Sequence, residues 1–241
     1  MGPELDAVAL MGSASESFAS FDGVVDAWEN RAHSATTWQR YVNRHPHGSV
    51  KPLGGPTRSA DSGADKRLAR VWMAKPWKWR VETSMPAAPH LALVIVNGGE
   101  WWLSDGAGEV ATNQGSVTRT PDARGLDRRL IAMLFPDSIL QAHVFETLGE
   151  KTVSGRRAQE VKAIPTEVEP SCWPAANEVR IVIDHERGVI LRWVAYSDGS
   201  PYAGMDIHDM HFDQKLAEEL FMFTPNAATR VRRFEGDRFV S

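Results

Sequence analysis

The sequence predicts an α+β chain built around an antiparallel sheet. Three observations predict it. Residues 179–212 alternate between faces and break at two tight turn signals, Arg187-Gly188 and Asp198-Gly199. Apolar residues recur near helical spacing only in residues 4–32 and 121–140. A Pro/Gly/Ser-rich stretch, residues 44–66, separates the first helical pattern from the first clear strands.

Taken in order, Leu5, Val8, Ala9 and Gly12 begin a helix, and Phe18, Phe21, Val24, Val25 and Trp28 follow at similar spacing. Gly23 and the serines at 13, 15 and 17 weaken the middle, so one long helix and a helix passing into a strand both fit. Residues 33–43 fit helix or strand. Residues 68–74 and 77–83 read as strands parted by Lys75-Pro76. Residues 91–97 are a short apolar run, followed by Trp101-Trp102-Leu103 and the turn signal Asp105-Gly106. Residues 108–119 fit strand or loop. Pro121-Asp122 opens a helix with a stripe at Leu126, Leu130, Ile131 and Leu134, stopped at Pro136. Strands then return: two around Gly149 and Gly155, then three ending near Phe212, an antiparallel meander. Residues 214–220 read as a helical turn, and a charged tail begins at about residue 226. The whole of residues 1–241 is expected to form a single domain.

Composition narrows the function classes. The chain has 241 residues, 42% hydrophobic and 24% charged, enough to build its own core without a staple. A net charge of −4 without a basic stripe argues against a nucleic-acid partner. One cysteine, Cys172, rules out an intramolecular disulfide. No apolar run is long enough for a membrane span. The N-terminus carries Glu4 and Asp6, no basic residue before Arg31 and no apolar h-region, so no signal peptide is predicted. A cytoplasmic location is expected, or an extracytoplasmic one if a leader has been removed.

No catalytic motif is found: Gly-x-Ser-x-Gly, a Walker loop and Gly-x-Gly-x-x-Gly are all missing. Asp206-Ile-His208-Asp209-Met-His211-Phe-Asp213 is the sharpest polar cluster. On a regular strand, however, His208 and His211 point to opposite faces, which disfavours a metal site. His45 and His47 read as loop decoration and Asp184-His185-Glu186 as an exposed hairpin end. Cys172, beside Trp173, reads as a passive thiol. No catalytic residue, metal or cofactor is assigned. Nine tryptophans against three tyrosines is unusual, and Trp72, Trp77, Trp79, Trp101 and Trp102 fall on neighbouring strands.

Several segments resemble the LolA-like superfamily of lipoprotein carriers and sorting proteins. Residues 179–184 end in Asp, a turn follows at Glu186-Arg187-Gly188, and Val189 to Arg192 lead on to Asp198-Gly199. Phe212-Asp213 then precedes Leu220-Phe221 and Phe223-Thr224-Pro225. Together these are similar to the family's C-terminal half. Trp72 to Pro76 with Arg80-Val81-Glu82, and Asn97-Gly98-Gly99-Glu100-Trp101-Trp102, resemble its N-terminal strand pair and turn. Val153-Ser-Gly155-Arg-Arg-Ala158 with Val161 and Pro165 resembles the pattern of actinobacterial relatives. The chain departs from the carriers in that no signal peptide is predicted for it.

The resemblance implies a curved antiparallel sheet, a half-open barrel, with helices covering its concave face and an apolar cavity between. It implies non-catalytic binding of a lipid or acyl chain there. A regulatory module with a protein partner, and an enzyme of specialised metabolism that recruited the cavity, are the alternatives. The residues expected to line such a cavity are Trp72, Met73, Trp79, Val81, Val94, Val96, Trp101, Ile181 and Trp193.

Overall fold

The computed structural model describes residues 4–44, 64–85, 88–114, 124–166, 172–173, 175–235 and 238–240. The 44–66 stretch, with His45 and His47, therefore lies almost wholly outside the described residues. The helices are α1 (Glu4–Ser13), α2 (Arg31–Arg44), α3 (Arg128–Leu134) and α4 (Asp137–Leu140). The strands are β1 (Ser20–Asn30), β2 (Ala64–Ala74), β3 (Lys78–Met85), β4 (Ala88–Asn97), β5 (Glu100–Ser104) and β6 (Glu109–Thr112). They continue as β7 (His143–Val153), β8 (Arg156–Pro165), β9 (Glu178–Asp184), β10 (Ile190–Ser197), β11 (Ser200–Phe212), β12 (Arg230–Glu235) and β13 (Arg238–Val240).

The strands hydrogen-bond in the order β13-β12-β6-β5-β4-β3-β2-β1-β11-β10-β9-β8-β7, an open sheet. With four helices beside it, this is the α+β class the sequence predicts. Residues 20–30 settle the first open alternative. Phe21, Gly23 and Val25 are buried while Asp22, Val24 and Asp26 are less so, a period of two, and the chain passes from helix into strand. Residues 31–44 are helix. The predicted helix opening at Pro121-Asp122 lies outside the described residues; from residue 124 on, helix begins at Arg128 and is followed by the separate turn of α4. No helix of the described residues is long and apolar enough to cross a membrane.

The chain divides into two compact units. The first contains residues 1–17, 27–66 and 128–206. Its meander β7–β11 pairs antiparallel throughout, with Trp193 opposite Ile181 and Met205, and Ile181 opposite Val161. That face is roofed by α1, α3 and α4, which bring in Met11, Met133, Leu134 and Ile139, all at most 2% exposed. Burial of this size, about 25 cal/mol per Å² of apolar surface, is the main force holding the unit together. The opposite face carries ion pairs, Lys162 with Glu146 at 2.9 Å and Arg180 with Glu178 at 2.9 Å. Gly188 must be glycine: its φ is +69°, and a Cβ there would run into the Leu10 carbonyl.

The second unit contains residues 18–26, 67–127 and 207–241. Strands β2 to β6 run antiparallel in sequence order, and β12 closes onto β6 in parallel, Val231 opposite Val110. One face of this unit is covered by the chain's own 3₁₀ turn at Glu218–Phe221 and the residues after it. Ile95, Trp102 and Val110 form a core cluster on that face, with Leu93 and Phe223 packed on them. Arg80 is tied to Glu82 by Nε and Nη2 at 2.7 and 2.5 Å, and its Nη1 donates to the Leu220 carbonyl at 3.1 Å, which clamps that segment down.

Candidate functional site

The other face of the second unit is built by strand register alone. Its first row runs Ala111, Leu103, Val94, Val81, Val71 across β6, β5, β4, β3 and β2. Its second runs Trp101, Val96, Trp79, Met73, and a third Ala92, Thr83, Ala69. These three rows hold no charged side chain. Such an uncharged face follows from strands whose alternate positions are, Thr83 apart, apolar, a pattern expected where both faces of a sheet are covered. Trp79, Val96, Trp101, Val71 and Met73 are at most 1% exposed, whereas Val94, Leu103 and Ala111 are partly exposed.

One edge of this face is aromatic and basic. The Arg124 guanidinium lies 5.2 Å from the Trp101 ring and 5.9 Å from that of Phe234, and those rings are 5.4 Å apart. Arg232 stands opposite Ala111 and Arg230 opposite Glu109, on the same face. Both arginines reach Glu109 Oε1, Arg232 at 3.0 Å and Arg230 at 3.4 Å. Asn113, buried, accepts the Trp101 N–H at 2.8 Å and donates to the Gly99 carbonyl at 2.7 Å, fixing the end of the tryptophan row. Leu126 is buried beside Gly125, whose backbone seats against Leu103.

The register thus brings Met73, Trp79, Val81, Val94, Val96 and Trp101 to one face of the second unit. Trp72 falls on the opposite face, opposite Arg80, with Arg70 and Arg80 stacked over its ring at 5.0 and 5.9 Å. Ile181 and Trp193 belong to the first unit, where both are wholly buried under the helices. There Arg129 lies 5.5 Å above Trp193 and Trp173 packs 5.4 Å from it. His143, edge-on to Trp173 at 5.7 Å, is held below the ordinary histidine range by burial, against an opposing hydrogen bond to the Ile139 carbonyl. Burial likewise pushes the Tyr202 phenol well above its usual value.

The other polar candidates serve structure. Asp184, 1% exposed, accepts from Arg156 at 2.8 Å, and Arg156 also reaches Glu186 at 2.6 Å. His185 approaches Glu150 at 3.2 Å. In the 206–213 cluster, Asp209 and Asp213 take positive φ, +49° and +59°, so the strand is irregular there. His208 lies 3.6 Å from Asp26, and Asp213 accepts from the Ala19 N–H at 2.7 Å. Among the described residues no group of three His, Cys, Asp or Glu could hold a metal ion.

No family model matches the chain, and no curated protein matches it. Solved structures do. An uncharacterized conserved protein from Thermus thermophilus is 12% identical, aligned over 96% of this chain and 99% of its own, with a TM-score of 0.53. A chain in the Pseudomonas aeruginosa MucA/MucB complex is 13% identical over 94% of this chain, with a TM-score of 0.51. This chain spans 63% of that one's length. A LolA superfamily protein from Nitrosomonas europaea is matched at 12% identity over 90% of this chain and 97% of its own; its TM-score of 0.35 is too loose to argue from. Identities this low show likeness of fold alone. The chain therefore shares its fold with the Thermus protein and with the Pseudomonas chain.

Proposed function

We propose that this protein binds an apolar ligand, a lipid or acyl chain, without catalysing its conversion, and that the ligand lies on the uncharged face of the second unit. One observation carries the reading: three aligned rows across β2–β6 without a charged side chain, left partly exposed at Val94, Leu103 and Ala111. Each methylene that leaves water on such a surface contributes about 0.8 kcal/mol. A dozen would contribute on the order of 10 kcal/mol before ordering costs. No directed chemistry is required.

Organic extraction of the freshly purified protein followed by lipid mass spectrometry tests it. A fatty acid or lipid in near-stoichiometric amount is expected. An empty extract, together with no saturable binding of a neutral naphthylamine probe, overturns it.

A second reading is a regulatory module with a protein partner. It is favoured by three exposed apolar side chains on the β7–β8 hairpin, Val144, Leu148 and Ile164, with Val144 directly opposite Ile164. The matched Pseudomonas fold is itself found in a MucA/MucB complex. Loss of a native-lysate partner on changing Val144 and Ile164 to Ser, with lipid content unchanged, would separate this reading from the first.

A further inference from the structure

Resting on the apolar-ligand reading, we infer that the ligand is an anionic amphiphile, one acyl chain with a carboxylate or phosphate head, and that Arg230 and Arg232 with Arg124 hold the head. The first row of the uncharged face continues past Ala111 to Arg232 on β12. Followed inward, it grades from a guanidinium through partly exposed Ala111, Leu103 and Val94 to buried Val81 and Val71. The accessible stretch, Arg232 to Val94, covers three inter-strand steps, roughly 14 Å, room for the head-proximal part of an acyl chain. Charge is confined to one end of it.

That end is cationic. Arg230 and Arg232 share the Glu109 carboxylate, and their side chains are 73% and 45% exposed. Arg124 adds a third guanidinium, stacked on the Trp101 and Phe234 rings beside them. A guanidinium fork fits the paired oxygens of a carboxylate or phosphate. An amphiphile laid along the row satisfies both ends at once. A neutral head offers a guanidinium no charged acceptor, and a cationic head would be repelled.

The test displaces a neutral naphthylamine probe from the full chain, below the micellar concentration. The competitors are hexadecanoic acid, hexadecyl phosphate and monohexadecanoyl glycerol. The two anionic amphiphiles are expected to compete roughly tenfold or more better than the neutral one, as charge-assisted hydrogen bonds imply. In the variant Arg230→Gln/Arg232→Gln that preference falls to within about twofold while the glycerol ester binds as before. Arg230→Gln alone, at the more exposed position, gives an intermediate loss should the double variant fold poorly. Equal competition by all three amphiphiles overturns the inference and leaves the apolar-ligand reading standing. An anion preference that survives both variants also overturns it. If no amphiphile displaces the probe, the underlying reading fails and the inference with it. Preference between the two anions names the head.

Discussion

Gly125 and His143 show how far single positions can be pushed. Gly125 has a φ of +81°, and a Cβ on it would run into Leu103 Cδ2. Gly125→Ala is therefore expected to destabilise the protein by about 1–3 kcal/mol, through strain and overpacking together, as read by urea unfolding. The glycine was visible in the sequence but its reason was not, because the neighbour it must clear lies 22 residues away on another strand. His143 makes a pH prediction. Its folded pKa lies below the ordinary 6.5, so the unfolded chain takes up a proton first as pH falls. The histidine's contribution is complete above pH 6.5 and is lost as pH drops through the lower folded value. Urea midpoints at pH 8, 6.5 and 5 should fall across that window, and His143→Gln should fall less. An unchanged slope in the variant would show that other groups carry the acid sensitivity.

Elements were legible in proportion to how local their signal is. The 179–212 meander could be read outright, since Arg187-Gly188 and Asp198-Gly199 turn the chain where alternation breaks. Residues 20–30 were ambiguous because Phe18, Phe21, Val25 and Trp28 satisfy a helical spacing as well as a strand. Burial of the face bearing Phe21, Gly23 and Val25 decided it. The segment after residue 226 read as a charged tail, yet β12 is a strand paired in parallel with β6, about 120 residues earlier. No local pattern announces such a pairing, and with it the sequence concealed the arginine cluster. Of the residues proposed to touch ligand, Val94 was among the cavity candidates of the sequence, whereas Leu103, Ala111 and Arg232 required the register. The 218–221 turn makes its own prediction. Phe221, 1% exposed, anchors it, and Phe221→Ala should cost about 3–5 kcal/mol by denaturant unfolding. A loss under about 1 kcal/mol would mean that the turn contributes little to covering that face.

For the molecule as a whole, the two units handle apolar surface differently. The first roofs its sheet with α1, α3 and α4 and sets ion pairs on the other side, and its candidates Ile181 and Trp193 are wholly buried. The second covers one sheet face with its own chain; its other, uncharged face is buried along Trp101, Val96, Trp79 and Met73, partly exposed at Val94, Leu103 and Ala111, and bordered by arginines. Two accounts of the function therefore predict different contact surfaces. Ligand binding engages the rows of the second unit, and partner docking engages the exposed apolar trio on β7 and β8. Methyl NMR of the labelled protein, titrated with monohexadecanoyl glycerol, distinguishes them directly. Saturable shifts at Val94, Leu103 and Ala111, with Val144, Leu148 and Ile164 unmoved, are the predicted result. Shifts confined to the β7–β8 trio, or none at all, would contradict an apolar ligand on the uncharged face.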